Sequence, residues 1–104
     1  MTARTWQEIL VLLFTRYEEM ALTHPDLLAS RVGDGLAKRV ANLSRHAIEH
    51  IHELSEDKAN RWLGFVQGVL TVADLIQVDS ERDFTRPLFH ELKGVSPSHA
   101  VSET

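Results

Sequence analysis

The fold follows from residues 5–21, which read TWQEILVLLFTRYEEMA. Thr5 and Glu8 have the spacing of a capping box, in which the threonine hydroxyl caps the Glu8 amide and the glutamate carboxylate reaches back. This spacing predicts that a helix begins here. Its apolar residues form a stripe wider than one contact face, so we expect neighbours on two sides. The stripe comprises Trp6, Ile9, Leu10, Leu13, Tyr17, Met20 and Ala21, widened by Val11, Leu12 and Phe14.

A second long helix is predicted after a short intervening segment. Pro25 ends the first helix, because the residue before a proline is disfavoured in the α region, and it also opens a short turn of helix. After a break at residues 33–35, apolar residues recur at helical spacing for about five turns. These residues are Leu36, Val40, Leu43, Ala47, Ile51 and Leu54.

The remaining pattern predicts a third long helix and a short fourth one. Ser55 is typical of an N-cap, because acids follow it in the first turn, and the third helix is expected to run to about Gln77. Residues 78–80 are typical of a turn and a new cap before a polar helix at residues 81–86. Pro87 is expected to kink or restart that helix, which closes at residues 93–94.

The third helix contains two glycines, Gly64 and Gly68, although glycine inside a helix costs about 1 kcal/mol relative to alanine. Projection at 100° per residue places both glycines opposite the core face, beside Asn60 and Thr71. Three interpretations stay open: a tight crossing within the chain, a subunit interface or a surface that contacts a ligand. The predicted core face comprises Ala59, Trp62, Val66, Val69, Leu70, Ala73 and Ile76.

Composition bounds the class of protein. The 104 residues fit one domain, which we place at residues 1–94, and the serine-rich residues 95–104 are expected to be disordered. The chain has no cysteine, which excludes disulfides, thiolate zinc sites and cysteine nucleophiles. No apolar run approaches the ~20 residues of a membrane span, and no secretory signal pattern opens the chain, so we expect a cytoplasmic protein. The net charge of −4 argues against broad nucleic-acid binding, although a local basic cluster can still bind phosphate.

Five residues are candidates for binding a ligand that carries a phosphate and a base. Arg61 flanks Trp62, and Arg82 and Arg86 lie four residues apart, close to Phe84. Guanidinium groups bind phosphate bidentately, and aromatic rings stack on bases. The alternative is that the two later arginines pair with acidic neighbours on a solvated helix and that the tryptophan belongs to the core. Those acidic neighbours are Asp79, Glu81 and Asp83.

The second helix also contains a motif of metal-dependent enzymes. His46, Glu49 and His50 match the H-x-x-E-H pattern, in which two histidines hold zinc and the glutamate activates water. Such enzymes are far larger, and their third ligand comes from a distant helix. Glu49 and His52 have the spacing used in di-iron bundles, but those sites need two such motifs. We expect a polar flank beside the apolar stripe here, and metal binding is the alternative.

Two stretches resemble a known group of proteins. Residues 58–70, KANRWLGFVQGVL, and residues 81–89, ERDFTRPLF, resemble the C-terminal signature of small uncharacterised proteins from tailed bacteriophages. The resemblance covers about residues 55–90, roughly a third of the chain. It implies a phage or prophage origin and action in the cytoplasm of an infected host, and it implies no particular activity.

The sequence therefore predicts an all-α fold, a compact bundle of three main helices plus a short C-terminal helix that forms homo-oligomers. For function we expect a non-enzymatic phage accessory protein without a cofactor, acting in counter-defence or host takeover. It would sequester a nucleotide-type signalling molecule or block a host protein. A metal-dependent enzyme built on the H-x-x-E-H helix and a small structural or assembly component of the phage are the alternatives.

Overall fold

The computed structural model describes residues 4–93, with side chains up to residue 90. This part of the chain is all-α and contains no strand, which confirms the predicted fold class. Residues 95–104, predicted to be disordered, lie outside the described residues. The elements are α1 (Trp6–Thr23), α2 (Pro25–Val32), α3 (Asp34–Glu49), a 3₁₀ turn (Ile51–Glu53), α4 (Glu56–Val72) and α5 (Val78–Lys93).

Helix α1 begins at the predicted capping box and forms the centre of the bundle. The Glu8 amide donates to the Thr5 hydroxyl over 3.1 Å, and the Thr5 amide donates to the Glu8 carboxylate over 2.8 Å. Helices α3 and α4 both pack against α1, so its wide apolar stripe is covered within the chain. The buried residues of α1 are Ile9, Leu10, Leu13, Phe14, Tyr17, Glu18 and Ala21.

Helix α3 is shorter than the sequence pattern predicts. It ends at Glu49, and His50 leaves the helical conformation while its amide still donates to the His46 carbonyl over 3.0 Å. The following 3₁₀ turn brings Ile51 into the core, where the residue is 4 % exposed. The 3₁₀ turn is tighter than an α-helix and redirects the chain toward α4. Ile51 therefore continues the predicted apolar stripe after the α-helix has ended.

Helix α4 also ends early, at Val72 instead of Gln77. Asp74 has φ of 63°, in the left-handed region that aspartate tolerates better than most residues, and the Gln77 side chain donates to its carboxylate over 2.7 Å. The predicted turn at residues 78–80 is instead the first turn of α5. That helix runs for 16 residues with Pro87 inside it, so the C-terminal helix is not short.

The packing of α4 differs from the predicted core face at one position. Leu63 is 3 % exposed and takes the place expected for Trp62, which is half-buried at the edge of the bundle. The other predicted members of the face are buried. Because successive residues of a helix are 100° apart, Trp62 and Leu63 lie on opposite flanks of the apolar stripe, and the bundle covers the flank of Leu63 more completely.

Gly64 and Gly68 face open space on the outer side of α4. A Cβ atom built on either glycine meets nothing within 4 Å among the described residues. For the described residues, the interpretation that these glycines allow a tight crossing within the chain is therefore wrong. Two apolar side chains are exposed on the same helix, Phe65 at 38 % and Val72 at 76 % exposure.

Candidate ligand site between α4 and α5

A buried polar network fixes α5 to the centre of the bundle. The Glu81 carboxylate, 7 % exposed, accepts two hydrogen bonds from the Arg16 guanidinium, each 3.1 Å long. It also accepts a hydrogen bond from the Tyr17 hydroxyl, and the Gln67 amide donates to that hydroxyl over 2.9 Å. Residues of α1, α4 and α5 thus meet at one point, and the Glu81 charge is balanced where it is buried.

The network keeps its tyrosine protonated. Burial raises the pKa of the Tyr17 hydroxyl far above its ordinary value. The hydrogen bond from Gln67 lowers this pKa by less than burial raises it, and the adjacent Glu81 carboxylate raises it further. A hydroxyl that keeps its proton can donate to Glu81 at any ordinary pH. Arg16 is held from a second side, because its guanidinium carbon lies 4.1 Å from the centre of the Phe84 ring.

A cavity of about 210 Å³ opens beside this network, between the C-terminal half of α4 and the first turns of α5. Its walls combine apolar and polar groups. Thr71 donates to the Gln67 carbonyl over 2.7 Å, and no described residue donates to the side-chain oxygen of Gln67. The cavity is lined by Gln67, Thr71, Ile76, Val78, Glu81, Arg82 and Thr85.

Arg82, the cation in the cavity wall, has no ion-pair partner in the described part of the chain. Arg82 is exposed and forms no ion pair with any described residue, and the same holds for Arg86, one turn further along α5. The alternative in which these arginines pair with their acidic neighbours is therefore wrong for the described residues. Glu81 is engaged by Arg16 instead, because it faces α1.

The other sequence-predicted ligand residues lie elsewhere. Arg61 pairs with Asp57 over 3.4 Å on the exposed side of α4, and the Trp62 ring lies beside His46 of α3. No hydrogen bond, ion pair or ring contact joins Arg61 or Trp62 to α5 in the part of the chain that is described. Phe84 packs under Arg16 and is not a wall of the cavity. Of the five candidates, only Arg82 lines the cavity.

Sequence reasoning missed the polar members of this site. Arg16 and Glu81 are 65 residues apart, so local spacing does not connect them. The sequence carries one signal of these contacts. Three polar side chains lie within or beside the apolar stripe of α1, the helix whose wide stripe predicts neighbours on two sides; they are Arg16, Tyr17 and Glu18. Polar groups on such a helix need partners from other elements, because unpaired buried polar groups are costly.

The histidine motif of α3 does not assemble a metal site. The rings of His46 and His50 lie with their centres 4.4 Å apart, but His50 lies past the end of the helix and its Nδ1 contacts the Glu53 carboxylate at 2.5 Å. Glu49 is exposed. Among the described residues, no group of three or more ligating side chains is arranged to hold a metal ion.

Comparison with known proteins finds no matching family model, curated protein or solved structure. None of the helices in the described range combines the length and apolar character of a membrane span. The described feature that bears on function is the cavity between α4 and α5.

Proposed function

We propose that this protein is a non-enzymatic phage accessory protein that binds a nucleotide-type molecule in the cavity between α4 and α5. The observation that carries the proposal is the position of Arg82, an arginine without an ion-pair partner among the described residues, in the wall of a partly apolar cavity. A guanidinium in this setting offers a bidentate site for phosphate.

The cavity walls suit the chemistry of a nucleobase. Ile76 and Val78 supply apolar surface for the faces of a ring, and Gln67, Thr71 and Thr85 supply polar groups for its edge. A volume of about 210 Å³ encloses a base but not a whole nucleotide. The sugar and phosphate of the ligand would therefore extend to the rim, toward the charges of α5.

The charges that line the cavity favour an anion beside Arg82. Arg16 neutralises Glu81, which is the acid in the cavity wall. Arg82 therefore remains as the charge of the wall that no described residue neutralises. Arg86 follows at the i+4 position, which places it on the same side of the helix. Glu81 accepts three hydrogen bonds, which make it an anchor of α5 and a poor general base. Binding without catalysis is the function that this arrangement supports.

The phage resemblance gives the proposed binding a biological setting. A small protein acting in the cytoplasm of an infected host would sequester a nucleotide-type signal that a bacterial defence system produces. The alternatives that keep the phage setting are blockade of a host protein and a structural or assembly role. A metal-dependent enzyme receives no support from the arrangement of His46, Glu49 and His50.

We also propose that the chain forms homo-oligomers through the outer face of α4. Gly64 and Gly68 leave the backbone bare on this face, and Phe65 and Val72 expose apolar surface beside it. A second copy related by a two-fold axis would place its own α4 against this face. Light scattering over a wide concentration range tests the proposal, and a monomer throughout contradicts it.

The binding proposal is tested with untagged protein and a defined panel of probes. Native mass spectrometry screens the four ribonucleoside 5′-monophosphates and the corresponding cyclic dinucleotides, and calorimetry then measures the affinity of each adduct. Replacing Arg82→Ala is expected to weaken binding about tenfold or more, because it removes a charge-assisted hydrogen bond worth roughly 1.5–3 kcal/mol.

The matched control is Arg61→Ala, since Arg61 is exposed on α4 and pairs only with Asp57 among the described residues. The control variant is expected to bind like the wild-type protein, and both variants are expected to keep the wild-type melting temperature. Equal binding by Arg82→Ala and wild type, or no binding of any probe, contradicts the proposal.

A further inference from the structure

A second basic surface lies on α3, away from the cavity between α4 and α5. An open concavity of about 490 Å³ runs along this helix and contains Lys38, Arg39, Asn42 and His46. Lys38 and Arg39 are exposed and have no ion-pair partner among the described residues. The concavity therefore presents two permanent positive charges and an amide to solvent.

This surface continues onto α4 through His46. The centre of the His46 ring lies 5.6 Å from that of Trp62, and the ammonium of Lys58 lies 5.4 Å from the centre of the same indole. Trp62 is half-buried, so part of its ring faces solvent. We call the combined surface the α3 basic face; it comprises Lys38, Arg39, Asn42, His46, Lys58 and Trp62.

The acidic residues near the α3 basic face have partners or lie at its end. Asp57 pairs with Arg61, and Glu53 contacts His50. Glu49 is exposed at the C-terminal end of α3, past His46. Asp34 lies at the far end, in the first turn of α3. The face is thus locally positive on a chain whose net charge is −4.

We propose that the α3 basic face binds a short segment of single-stranded nucleic acid. Lys38 and Arg39 would contact its phosphates, and Trp62 would stack on a base. Proteins that bind single strands combine a positive groove with an aromatic ring, because every base offers a face for stacking. From Lys38 to His46 the face spans about 12 Å of helix, so it can contact more than one phosphate. The proposal does not depend on the cavity at Arg82.

The test measures fluorescence anisotropy of a fluorescein-labelled oligothymidylate of about ten nucleotides in about 50 mM salt, where phosphate contacts are strong. Lys38→Ala/Arg39→Ala is expected to weaken binding tenfold or more. The matched control is Arg4→Ala/Arg61→Ala, which removes the same charge outside both proposed sites and is expected to bind like wild type. With two phosphate contacts, a plot of log affinity against log salt concentration should have a slope of about −1.4.

Tryptophan fluorescence gives an independent readout. The chain has two tryptophans, so Trp6→Phe leaves Trp62 as the only tryptophan, and stacking of a base is expected to quench its emission. Unchanged emission on binding overturns the stacking assignment. Equal weakening by both charge-removing pairs shows a general charge effect and overturns the proposal, as does absence of binding by wild type. None of these outcomes bears on nucleotide binding at Arg82, which calorimetry tests separately.

Discussion

The three helices α1, α3 and α4 differ from α5 in how they are held. The first three meet mainly through apolar side chains with no exposed surface, such as Leu13, Phe14 and Val66. One ion pair, between Arg45 and Glu18, also joins α3 to α1. Helix α5 is anchored by a charged network at Glu81 and by the half-buried Leu88 and Phe89. The cavity that we propose as a binding site lies where α5 docks onto α4. We therefore assign stability to the apolar core and the proposed ligand binding to the region where α5 docks.

The largest expected effect lies in the apolar core. Leu13→Ala removes a side chain with 0 % exposure and should lower the free energy of unfolding by about 3 kcal/mol, through lost burial and the cavity left behind. Chemical denaturation measures the change. The control is Leu22→Ala on the same helix, where the leucine is 63 % exposed; a similar loss in both variants contradicts the assignment of the core.

Glu81→Gln should weaken the anchoring of α5 to α1. The change leaves Arg16 without its charged partner and should cost about 2 kcal/mol, less than a fully buried pair because the Arg16 side chain is 35 % exposed. Asp83→Asn removes the same charge from an exposed position of α5. It should change stability by no more than about 0.5 kcal/mol, and equal effects of the two variants contradict the anchoring role.

A smaller effect of opposite sign is expected on the bare face of α4. Gly64→Ala and Gly68→Ala should each stabilise the protein by about 0.5–1 kcal/mol, since a methyl group meets no described atom and alanine favours helix. Gly33→Ala is the contrast, because its φ of 92° strains any side chain. This stabilisation is expected for the dissociated chain, and its absence there contradicts the open face. In the proposed oligomer the same methyl groups would face the second copy, so both substitutions should weaken association in light scattering.

The smallest effect is expected at high pH. Tyr17 is the one tyrosine of the chain, and burial raises its pKa in the folded state. Above the ordinary tyrosine pKa of about 10, the unfolded chain loses this proton while the folded chain keeps it, so the contribution of Tyr17 to stability declines as pH rises. Absorbance of tyrosinate should therefore appear only with unfolding. A reversible titration near pH 10 in the folded protein contradicts this account.

Local signals in the sequence predicted more of the fold than of the site. The capping box at Thr5 and Glu8 and the N-cap at Ser55 mark helix starts correctly, because caps depend on residues a few positions apart. The ends of α3 and α4 were misplaced, since tertiary packing decides where Ile51 enters the core and where the chain turns at Asp74.

The site was predicted only in part for the same reason. The arginine pattern on α5 identified Arg82 as a candidate, and the structure places Arg82 in the cavity wall. Its neighbours come from α4 and the turn that follows, and the anchor at Glu81 depends on Arg16 of α1. Such contacts arise from the packing of helices distant in sequence, which periodicity and spacing do not encode.

The central claim is that α5 is a separately anchored region over a ligand cavity, and native-state hydrogen exchange tests it most directly. In wild type, amides of α5 should open at least about tenfold more readily than those of α1. Glu81→Gln should accelerate exchange in α5 and leave the slowest amides of α1 much less affected. Equal protection of α5 and α1 in wild type, with a uniform change in the variant, would contradict the division of the molecule into an apolar core and a polar-docked helix.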